Sequence, residues 1–533
     1  MRILLAWKLL LFAAIQLVEA SWTGWGGNIL NNRWNDHTTI NKASVQNISR
    51  HCHLGGFAQG VSAAPAIHEG VAYFPSWDGY VTAFAYETCE VKWQTNITAY
   101  LEEYAVPDVY QTAFCAPASR TSPQIDRDVL YVGTLRYASL LALDITTGAI
   151  LANVQINPHP LAVVTMSPTF YNGKIFVGTA SQEESAATDP VSNFAALSYD
   201  HRTHEFHTVW NRTMLPGPNE PGGWSGIGVW GSQPSIDVAS NQVFIATGNV
   251  YEIPEAVQVC INATNSNSSD LACYPSSVWH EAVIALDIDC GNVNWIKILS
   301  PLEAWNAACG IAGVTPKSAA CPPNPGPDAD FGMAPAFVPV RIAATPNGRD
   351  VVVVGQKTGD LYAMDATDGS IMWATIVGPD TTSFGALIWG VAVDASRVYF
   401  TVQDPLYDTW TSQPSGKNKS NAAYGAVELC NGSIIWEVPV PLNSTSYGPP
   451  SVTQDIALFP RMGHFIPPTL MNGTTGSVVV LDSASGSIVA DIPADYIVYG
   501  SVAADGPFIM FGTGYHGSTA SGSFSVFKVS KDV

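Results

Sequence analysis

Two aspartates one residue apart, Asp328 and Asp330, stand in the phrase PGPDADFG. The prolines and glycines around them exclude the interior of a helix or strand, so both carboxylates belong to a loop. A carboxylate can take a proton from a substrate hydroxyl, and it can also help to hold a divalent cation. The phrase therefore predicts an acid–base or metal site. The alternative is an acidic turn that binds nothing or holds only a structural ion.

Oxygen ligands for a cation also occur earlier in the chain. Glu183 and Glu184 follow an apolar stretch in the phrase VGTASQEE, and Asn249 ends the phrase ATGN. Carboxylate and amide oxygens suit a hard cation. Taken singly, a pair of glutamates usually belongs to a solvated loop and an Asn after Gly to a turn. Their occurrence at similar places in consecutive repeats favours the metal site.

Two recurring phrases predict the elements that position these side chains. The first, apolar-x-Ala-Leu-Asp with a Gly turn and a second apolar strand, is typical of a β-hairpin. Before each hairpin stands a small residue and Pro, then a turn and another apolar strand. The hairpin copies begin at Tyr80, Ser139, Asn193, Ala282, Asp360, Gly425, Ser477 and Gly522. Two strands plus a hairpin make the blade of a β-propeller, so the sequence predicts an all-β, eight-bladed propeller rather than one of seven blades.

The last repeat stops at Val533, before its fourth strand. An incomplete blade leaves an open sheet edge, which a strand from the other terminus can cover. We therefore expect the segment from Ser21 to Asn35 to supply the missing strand and close the ring. Residues 21–533 are then a single propeller domain.

Residues 1–20 combine a charged start, an apolar core and small residues at the end, which is typical of a secretory signal peptide. No later stretch has the length and apolar content of a membrane-spanning helix. Nine Asn-x-Ser/Thr triplets predict N-glycosylation. They begin at Asn47, Asn96, Asn211, Asn262, Asn267, Asn418, Asn431, Asn443 and Asn472. We expect a secreted, extracellular glycoprotein.

The cysteines and the net charge agree with that compartment. All nine Cys lie beyond the signal segment, and the local pairs Cys260 with Cys273 and Cys309 with Cys321 are the predicted disulfides. The pairing of the remaining cysteines is left open. A formal net charge of -21 repels nucleic acid and anionic membrane surfaces, so neither is an expected partner.

The hairpin phrase resembles the repeat of pyrroloquinoline quinone (PQQ) enzymes, and the resemblance runs from about Trp22 to the C-terminus. Four phrases resemble polyvinyl alcohol dehydrogenase and its secreted fungal relatives: WTGWGGNILNNRWN, WGSQPSID, GPDADFG and GQKTGDLYAMD. The resemblance implies an oxidoreductase that transfers hydride from an alcohol to metal-bound PQQ. The alcohol is a primary or secondary one, a polyol, a polymer or a secondary metabolite.

The resemblance also implies roles for single residues. Arg120, Thr165, Trp230, Lys357 and Trp389 match or resemble contacts of the quinone, with Trp230 under its ring. A flat aromatic suits a flat cofactor, and basic side chains suit its carboxylates. Surface charges and packing tryptophans are the alternatives, and Trp93, Trp295, Trp373 and Trp436 are expected to be inter-blade or core packing.

In the family a hard cation lies beside the quinone. The matching ligands are Glu183, with Glu184 as the fallback, and Asn249, together with Asp330. The Asp-Phe-Gly match assigns the catalytic base to Asp330. In the alternative, Asp328 is the base and Asp330 is an extra ligand, which favours a lanthanide over Ca²⁺.

Two family features are missing from the sequence. Cys115 precedes Arg120 without an adjacent Cys, so the cysteine ring of the methanol-oxidising branch is absent, and no Cys-x-x-Cys-His haem phrase occurs. We therefore expect a separate electron acceptor. The competing interpretation is a non-catalytic propeller that binds partners on its faces. A propeller hydrolase or lyase is a third, for which the 11 His show no repeated axial placement.

Overall fold

The computed structural model describes residues 22–103, 116–181, 192–215, 223–264, 273–310, 316–379, 385–404, 407–463, 475–516 and 521–530. The signal segment, Cys115, Glu183, Glu184, Asn267 and Asn472 lie outside these residues. Eight four-stranded antiparallel sheets follow one another along the chain. The eight-bladed propeller predicted from the repeats is confirmed. Among the described helices, none is long and apolar enough to cross a bilayer.

Each blade runs from an inner strand beside the axis to an outer strand at the rim. Blade 1 contains Ala66–His68, Val71–Pro75, Tyr80–Ala85 and Glu90–Asn96, and blade 2 contains Gln124–Asp126, Val129–Gly133, Ser139–Asp144 and Ile150–Gln155. Blade 3 contains Thr169–Tyr171, Lys174–Gly178, Asn193–Asp200 and Glu205–Thr213, and blade 4 contains Ser235–Asp237, Gln242–Ala246, Ala282–Asp287 and Val293–Ile298. Blade 5 contains Ala336–Val338, Val351–Gly355, Asp360–Asp365 and Ile371–Ile376, and blade 6 contains Ala392–Val393, Arg397–Val402, Ala423–Glu428 and Ile434–Pro439. Blade 7 contains Ser451–Val452, Ile456–Arg461, Ser477–Asp482 and Ile488–Pro493, and blade 8 contains Ala503–Asp505, Phe508–Gly512, Gly522–Val529 and Ile48–Phe57.

The remaining elements are short. Within the described residues, the α-helices are Ile97–Glu102 and Glu255–Thr264. Two-stranded sheets pair Ala162–Val163 with Ala180–Ser181, Ser225–Gly226 with Val250–Glu252, and Trp410–Thr411 with Asn418–Lys419. Single 3₁₀ turns lie at Ser44–Asn47, Arg136–Ala138, Ala307–Cys309, Pro346–Gly348 and Pro441–Asn443.

The repeated phrase has a clear structural reason. In blades 1 to 7 the third strand shifts register against the outer strand directly after the fourth residue, as at Ala142 and Leu143. The phrase's Asp then caps the turn, as Asp144 Oδ1 does by accepting from the backbone N of Thr147 at 2.7 Å. The bulge and the capped turn explain why this stretch recurs in sequence.

The tryptophans of the outer strands join neighbouring blades. Trp295 Nε1 donates to the Ala366 carbonyl of the next blade at 2.9 Å, and the turn residue Gly369 lies against the indole ring. A Cβ on Gly369 would come within 2.5 Å of that ring, so only glycine fits. Trp93, Trp210, Trp373 and Trp436 make the same bond to the following blade. The packing role predicted for Trp93, Trp295, Trp373 and Trp436 is confirmed, and Trp210 shares it.

The closing strand differs from the one expected. Ile48–Phe57 pairs antiparallel with Gly522–Val529 and completes blade 8, so the assignment of this strand to Ser21–Asn35 is wrong. The earlier segment contains Gly24, Gly27, Asn31 and Arg33 at positive φ, which interrupts any extended strand. The ring still closes between the two ends of the chain, but the closing strand is Ile48–Phe57, which follows Ser21–Asn35 in the sequence.

The segment from Trp22 to Asn35, here called the axial segment, crosses the ring from blade to blade instead. Its carbonyls accept hydrogen bonds from the inner strands, whose edge N–H groups would otherwise lack partners. The donors are the backbone N–H groups of Ile67, Ile236, Phe337, Val393 and Val452. This segment therefore covers the inner strand edges and fixes the blades around the axis.

Three disulfides are present among the described cysteines. Cys260–Cys273 and Cys309–Cys321 are the two predicted pairs, and Cys52–Cys89 ties the closing strand to blade 1. Cys290 and Cys430 are exposed free thiols. Cys260 stands in the helix Glu255–Thr264 rather than in a loop. The helix forms because Val257 and Ile261, four residues apart, pack against one hydrophobic cluster.

Candidate active site

A buried ion cluster lies at the ends of the second strands of blades 4 and 5. Lys357 Nζ is 2.9 Å from both carboxylate oxygens of Asp328 and 3.1 Å from Oδ2 of Asp330. The three residues are at most 6% exposed. Two carboxylates against one ammonium leave a formal excess of one negative charge. Because an unpaired buried charge is costly, this cluster favours an additional cation.

Asn249 belongs to the same cluster. Its backbone N donates to Oδ1 of Asp330 at 2.5 Å, and its side-chain amide donates to the Trp305 carbonyl at 2.9 Å. The amide nitrogen is therefore engaged by the protein, and the amide oxygen is the atom that remains for a cation. Gly248 stands directly beside Asp330, where a Cβ would lie 2.4 Å from Oδ1. We call Asn249, Asp328, Asp330 and Lys357 the acid wall.

Two buried glutamates and a histidine lie behind the acid wall. Burial raises the pKa of Glu281 to about 8, and burial together with the neighbouring Glu281 raises the pKa of Glu303 to about 9. Burial lowers the pKa of His280 to about 4, and its Nδ1 is 3.2 Å from Glu281 Oε2. At neutral pH the glutamates therefore keep protons and add little charge beside the aspartates.

A narrow cavity of about 10 Å³ lies beside Trp389. Its lining includes Trp25, Arg120, Thr165, Trp389, Tyr499 and Tyr515. These residues come from the axial segment and from several blades, and they stand near the inner-strand starts or second-strand ends. In a propeller such positions meet only near the axis, so the cavity is axial.

Three hydrogen-bond donors of this lining have no acceptor. Within the described part of the chain, Arg120 Nε, Trp389 Nε1 and Thr165 Oγ1 are buried and make no hydrogen bond. The other end of Arg120 is engaged, because Nη1 donates to the Tyr515 hydroxyl at 3.1 Å. A buried unsatisfied donor costs about 1–3 kcal/mol. We call Arg120, Thr165 and Trp389 the donor wall.

Trp389 is the centre of the aromatic contacts around the cavity. The Arg120 guanidinium lies 4.8 Å from its ring centroid, and the Tyr499 ring lies at 5.9 Å. Trp389 has φ of 71°, a conformation that costs energy for a bulky residue. The axial segment holds it there, since Arg33 Nη2 and Trp25 Nε1 donate to its carbonyl at 3.0 and 2.8 Å.

Trp230 joins the two walls. Its ring is perpendicular to that of Trp389 at 5.5 Å, and Lys357 Nζ is 5.3 Å from its centroid. The eight predicted site residues that the structure describes therefore form one connected set: Arg120, Thr165, Trp230, Asn249, Asp328, Asp330, Lys357 and Trp389. Glu183 and Glu184 are outside the described residues, and the cation role given to them stays a prediction.

The sequence interpretation missed several residues of this region. Glu303, Glu281 and Tyr499 stand in phrases that were not assigned a family-like pattern, and Arg33 was missed as well. Arg33 is fully buried, and burial lowers its pKa to about 9. One signal was available: Arg33 and Trp25 lie in the phrase WTGWGGNILNNRWN, which resembles the family but was assigned to a strand.

Comparisons with known proteins agree with the propeller fold. A family model described as outer membrane protein assembly factor BamB matches residues 55–297. A polyvinylalcohol dehydrogenase from Pseudomonas sp is 26% identical over 472 residues, which is 83% of this chain and 65% of the relative. The chain resembles the quinoprotein alcohol dehydrogenases. The resemblance predicted from the repeat phrases is confirmed, although the chain spans less than two thirds of that relative's length.

Solved structures show the same fold. The quinohemoprotein alcohol dehydrogenase from Comamonas testosteroni has a TM-score of 0.68 at 16% identity, over 96% of this chain and 81% of that one. A europium-containing methanol dehydrogenase has a TM-score of 0.64 at 15% identity, over 95% of this chain and 98% of that one. At such identities the likeness to these quinoprotein dehydrogenases concerns the propeller and leaves the site to be argued from its residues.

Proposed function

We propose that the protein is an oxidoreductase that oxidises an alcohol, with PQQ and a metal ion as its cofactors and a separate electron acceptor. The observation that carries the proposal is the connection of two walls through Trp230, one of which lines the axial cavity. The donor wall presents three buried donors without acceptors, and the acid wall has an excess of negative charge. An oxygen-rich quinone fits the first, and a cation fits the second.

The residues present fit both groups. Arg120, Thr165 and Trp389 would donate to carboxylate and carbonyl oxygens of the quinone, and Trp230 would offer an aromatic surface beside them. Asn249 and Asp330 would hold the metal ion by oxygen, together with Glu183. When bound, PQQ supplies a two-electron oxidant for the carbinol carbon, and the metal ion makes that oxidant more electrophilic.

The chain's own residues handle the proton. Asp330 is the group proposed to accept the hydroxyl proton at Oδ1 or Oδ2, because it lies beside the ammonium of Lys357 and the backbone N–H of Asn249. Lys357 pairs with both carboxylates, and all three residues are buried. In the alternative, Asp328 is the base and Asp330 a ligand.

Reconstitution tests the function. Purified apoprotein is incubated with PQQ and Ca²⁺, or with PQQ and a lanthanide, and dye reduction is followed with primary, secondary, polyol and polymeric alcohols. We expect turnover that needs PQQ, metal and alcohol together. PQQ binding without turnover on any alcohol, or no binding at all, would favour the non-catalytic propeller. The better metal distinguishes the two assignments of Asp328 and Asp330.

We also propose that the protein is secreted and N-glycosylated. The three disulfides support an oxidising compartment, since such bonds are rare in the cytosol. Of the triplets in the described residues, Asn47, Asn96, Asn211, Asn418, Asn431 and Asn443 are exposed or lie on exposed outer strands and turns. Mass mapping of the protein from a eukaryotic host tests this: a mature N-terminus near Ser21 and glycan on these asparagines are expected.

A further inference from the structure

The carboxyl group of Glu303 binds the backbone of the loop that carries both aspartates. Its Oε2 accepts from the backbone N of Asp328 at 3.1 Å, and its Oε1 accepts from the backbone N of Ala329 at 2.6 Å. Glu303 is 8% exposed, so these bonds form in a region with little competing water. A carboxyl group that accepts from two consecutive N–H groups fixes the direction of the peptide between them.

The loop needs such a clamp because its conformation is unfavourable. Asp328 has φ of 68°, which is uncommon for a residue with a side chain. In this conformation both of its carboxylate oxygens reach Lys357. Gly326 lets Glu303 approach: a Cβ there would lie 1.7 Å from Glu303 Oε2. The absence of a Cβ at Gly326 therefore leaves the space that the Glu303 carboxyl group occupies.

The other side of the loop is held by blade 5. The side-chain amide of Gln356 donates to the Ala329 carbonyl at 2.6 Å, and the backbone N of Lys357 donates to the Asp330 carbonyl at 3.0 Å. Glu303 lies earlier in the same connection between blades 4 and 5 and binds the loop at Asp328 and Ala329. The loop is thus clamped between two parts of the ring, and Asp330 is its last clamped residue.

We infer that Glu303 is a positioning residue: it holds Asp328-Ala329-Asp330 so that both carboxylates face Lys357 and Asp330 meets the alcohol. The catalytic consequence of this inference rests on the proposed function, whereas the clamp rests on geometry alone. Glu303 acts through the loop and touches no reacting atom. A misplacement of a reacting group by about 1 Å can cost on the order of 10²-fold in rate.

The first measurement needs no cofactor. In Glu303→Gln one acceptor oxygen remains and an amide NH₂ faces the other N–H, so one clamp bond is lost at constant shape. Hydrogen–deuterium exchange of the apoprotein should be roughly tenfold faster in the peptide covering residues 326–332. Gly326→Ala disturbs the same contact without changing Glu303 and should act alike. Glu437→Gln is the matched control: Glu437 is 7% exposed, accepts a backbone N–H from Gln413 and lies on blade 6.

The second measurement uses the protein reconstituted with PQQ and metal. Glu303→Gln and Gly326→Ala should lower kcat roughly 10- to 100-fold, with KM for the alcohol within about twofold. Glu437→Gln should leave kcat and KM unchanged. If the substitutions acted only by lowering thermal stability, all three variants would be affected and kcat would not fall selectively relative to KM.

The clamp, the positioning role and the proposed function are each tested by a different outcome. Unchanged exchange at residues 326–332 in both variants overturns the clamp, whatever the protein catalyses. Faster exchange with wild-type kcat overturns the positioning role. If the wild-type protein does not oxidise alcohols with PQQ, the proposed function and with it the catalytic role fall, and the exchange result alone decides the clamp.

Discussion

The donor wall and the acid wall differ in how many of their polar groups have protein partners. In the acid wall the two aspartates, Lys357 and the Asn249 amide nitrogen all have protein partners, so the wall is assembled before any ligand arrives. In the donor wall three buried donors have none. Unsatisfied donors cost stability, and satisfied charge clusters lose stability when one member is removed. The difference indicates that one wall is self-supporting and the other is completed by a ligand.

The largest effect is expected at the proposed base. Asp330→Asn keeps the shape of the side chain but removes its ability to accept a proton, so turnover should fall by on the order of 10³-fold. Circular dichroism and the melting temperature should show an intact fold. Asp328→Ala should mainly change which metal supports activity. Loss of turnover with every metal in Asp328→Ala, together with an active Asp330→Asn, would reverse the two roles.

The next effect concerns the stability of the acid wall. Lys357→Met leaves two buried carboxylates without their ammonium and should lower the free energy of unfolding by about 3–5 kcal/mol. Denaturant unfolding of the apoprotein measures it. Lys92→Met is the control, because Lys92 pairs with Glu90 at the surface and should change stability by less than about 1 kcal/mol. Equal effects of both substitutions would show that the acid wall is not self-supporting.

The glutamates behind the acid wall predict a pH dependence. The pKa of Glu281 is about 8 in the fold, against 4.5 for an ordinary glutamate, so the folded state binds more protons than the unfolded state between these values. The free energy of unfolding should therefore fall as pH rises from about 6.5 to 8. In Glu281→Gln this fall should be smaller, as melting temperatures at the two pH values would show. An identical pH slope in both proteins contradicts the assignment.

The smallest effect separates the walls most sharply. Thr165→Val removes a buried hydroxyl without a partner, so the apoprotein should be equally stable or slightly more stable. Its affinity for PQQ should fall roughly fivefold, equivalent to about 1 kcal/mol. Thr134→Val is the contrast: the Thr134 hydroxyl donates to the Arg136 carbonyl at 2.8 Å, and its loss should destabilise the fold by about 1–2 kcal/mol. Titration by fluorescence and denaturant unfolding measure both.

The blades follow from the sequence because each is a local unit. The Ala-Leu-Asp stretch, the capped turn and the Trp that binds the next blade lie within about a dozen residues, so their spacing is visible in every copy. The site residues with a family-like phrase, such as Lys357 and Trp230, were found for the same reason. Disulfides between near neighbours, at Cys260 and Cys309, were also predictable.

Tertiary structure alone decided the contacts that join distant parts of the chain. The closing strand and the axial segment are both near the N-terminus, and only their pairing with blade 8 and with the inner strands tells them apart. Glu303 and Asp328 are 25 residues apart, and the Arg33 contact to Trp389 spans 356 residues. No local pattern records such contacts, because they depend on which side chains the closed ring brings together. The sequence by itself therefore determined the blades and most of the site's residue types, and the closed ring decided which of those residues are satisfied and which wait for a ligand.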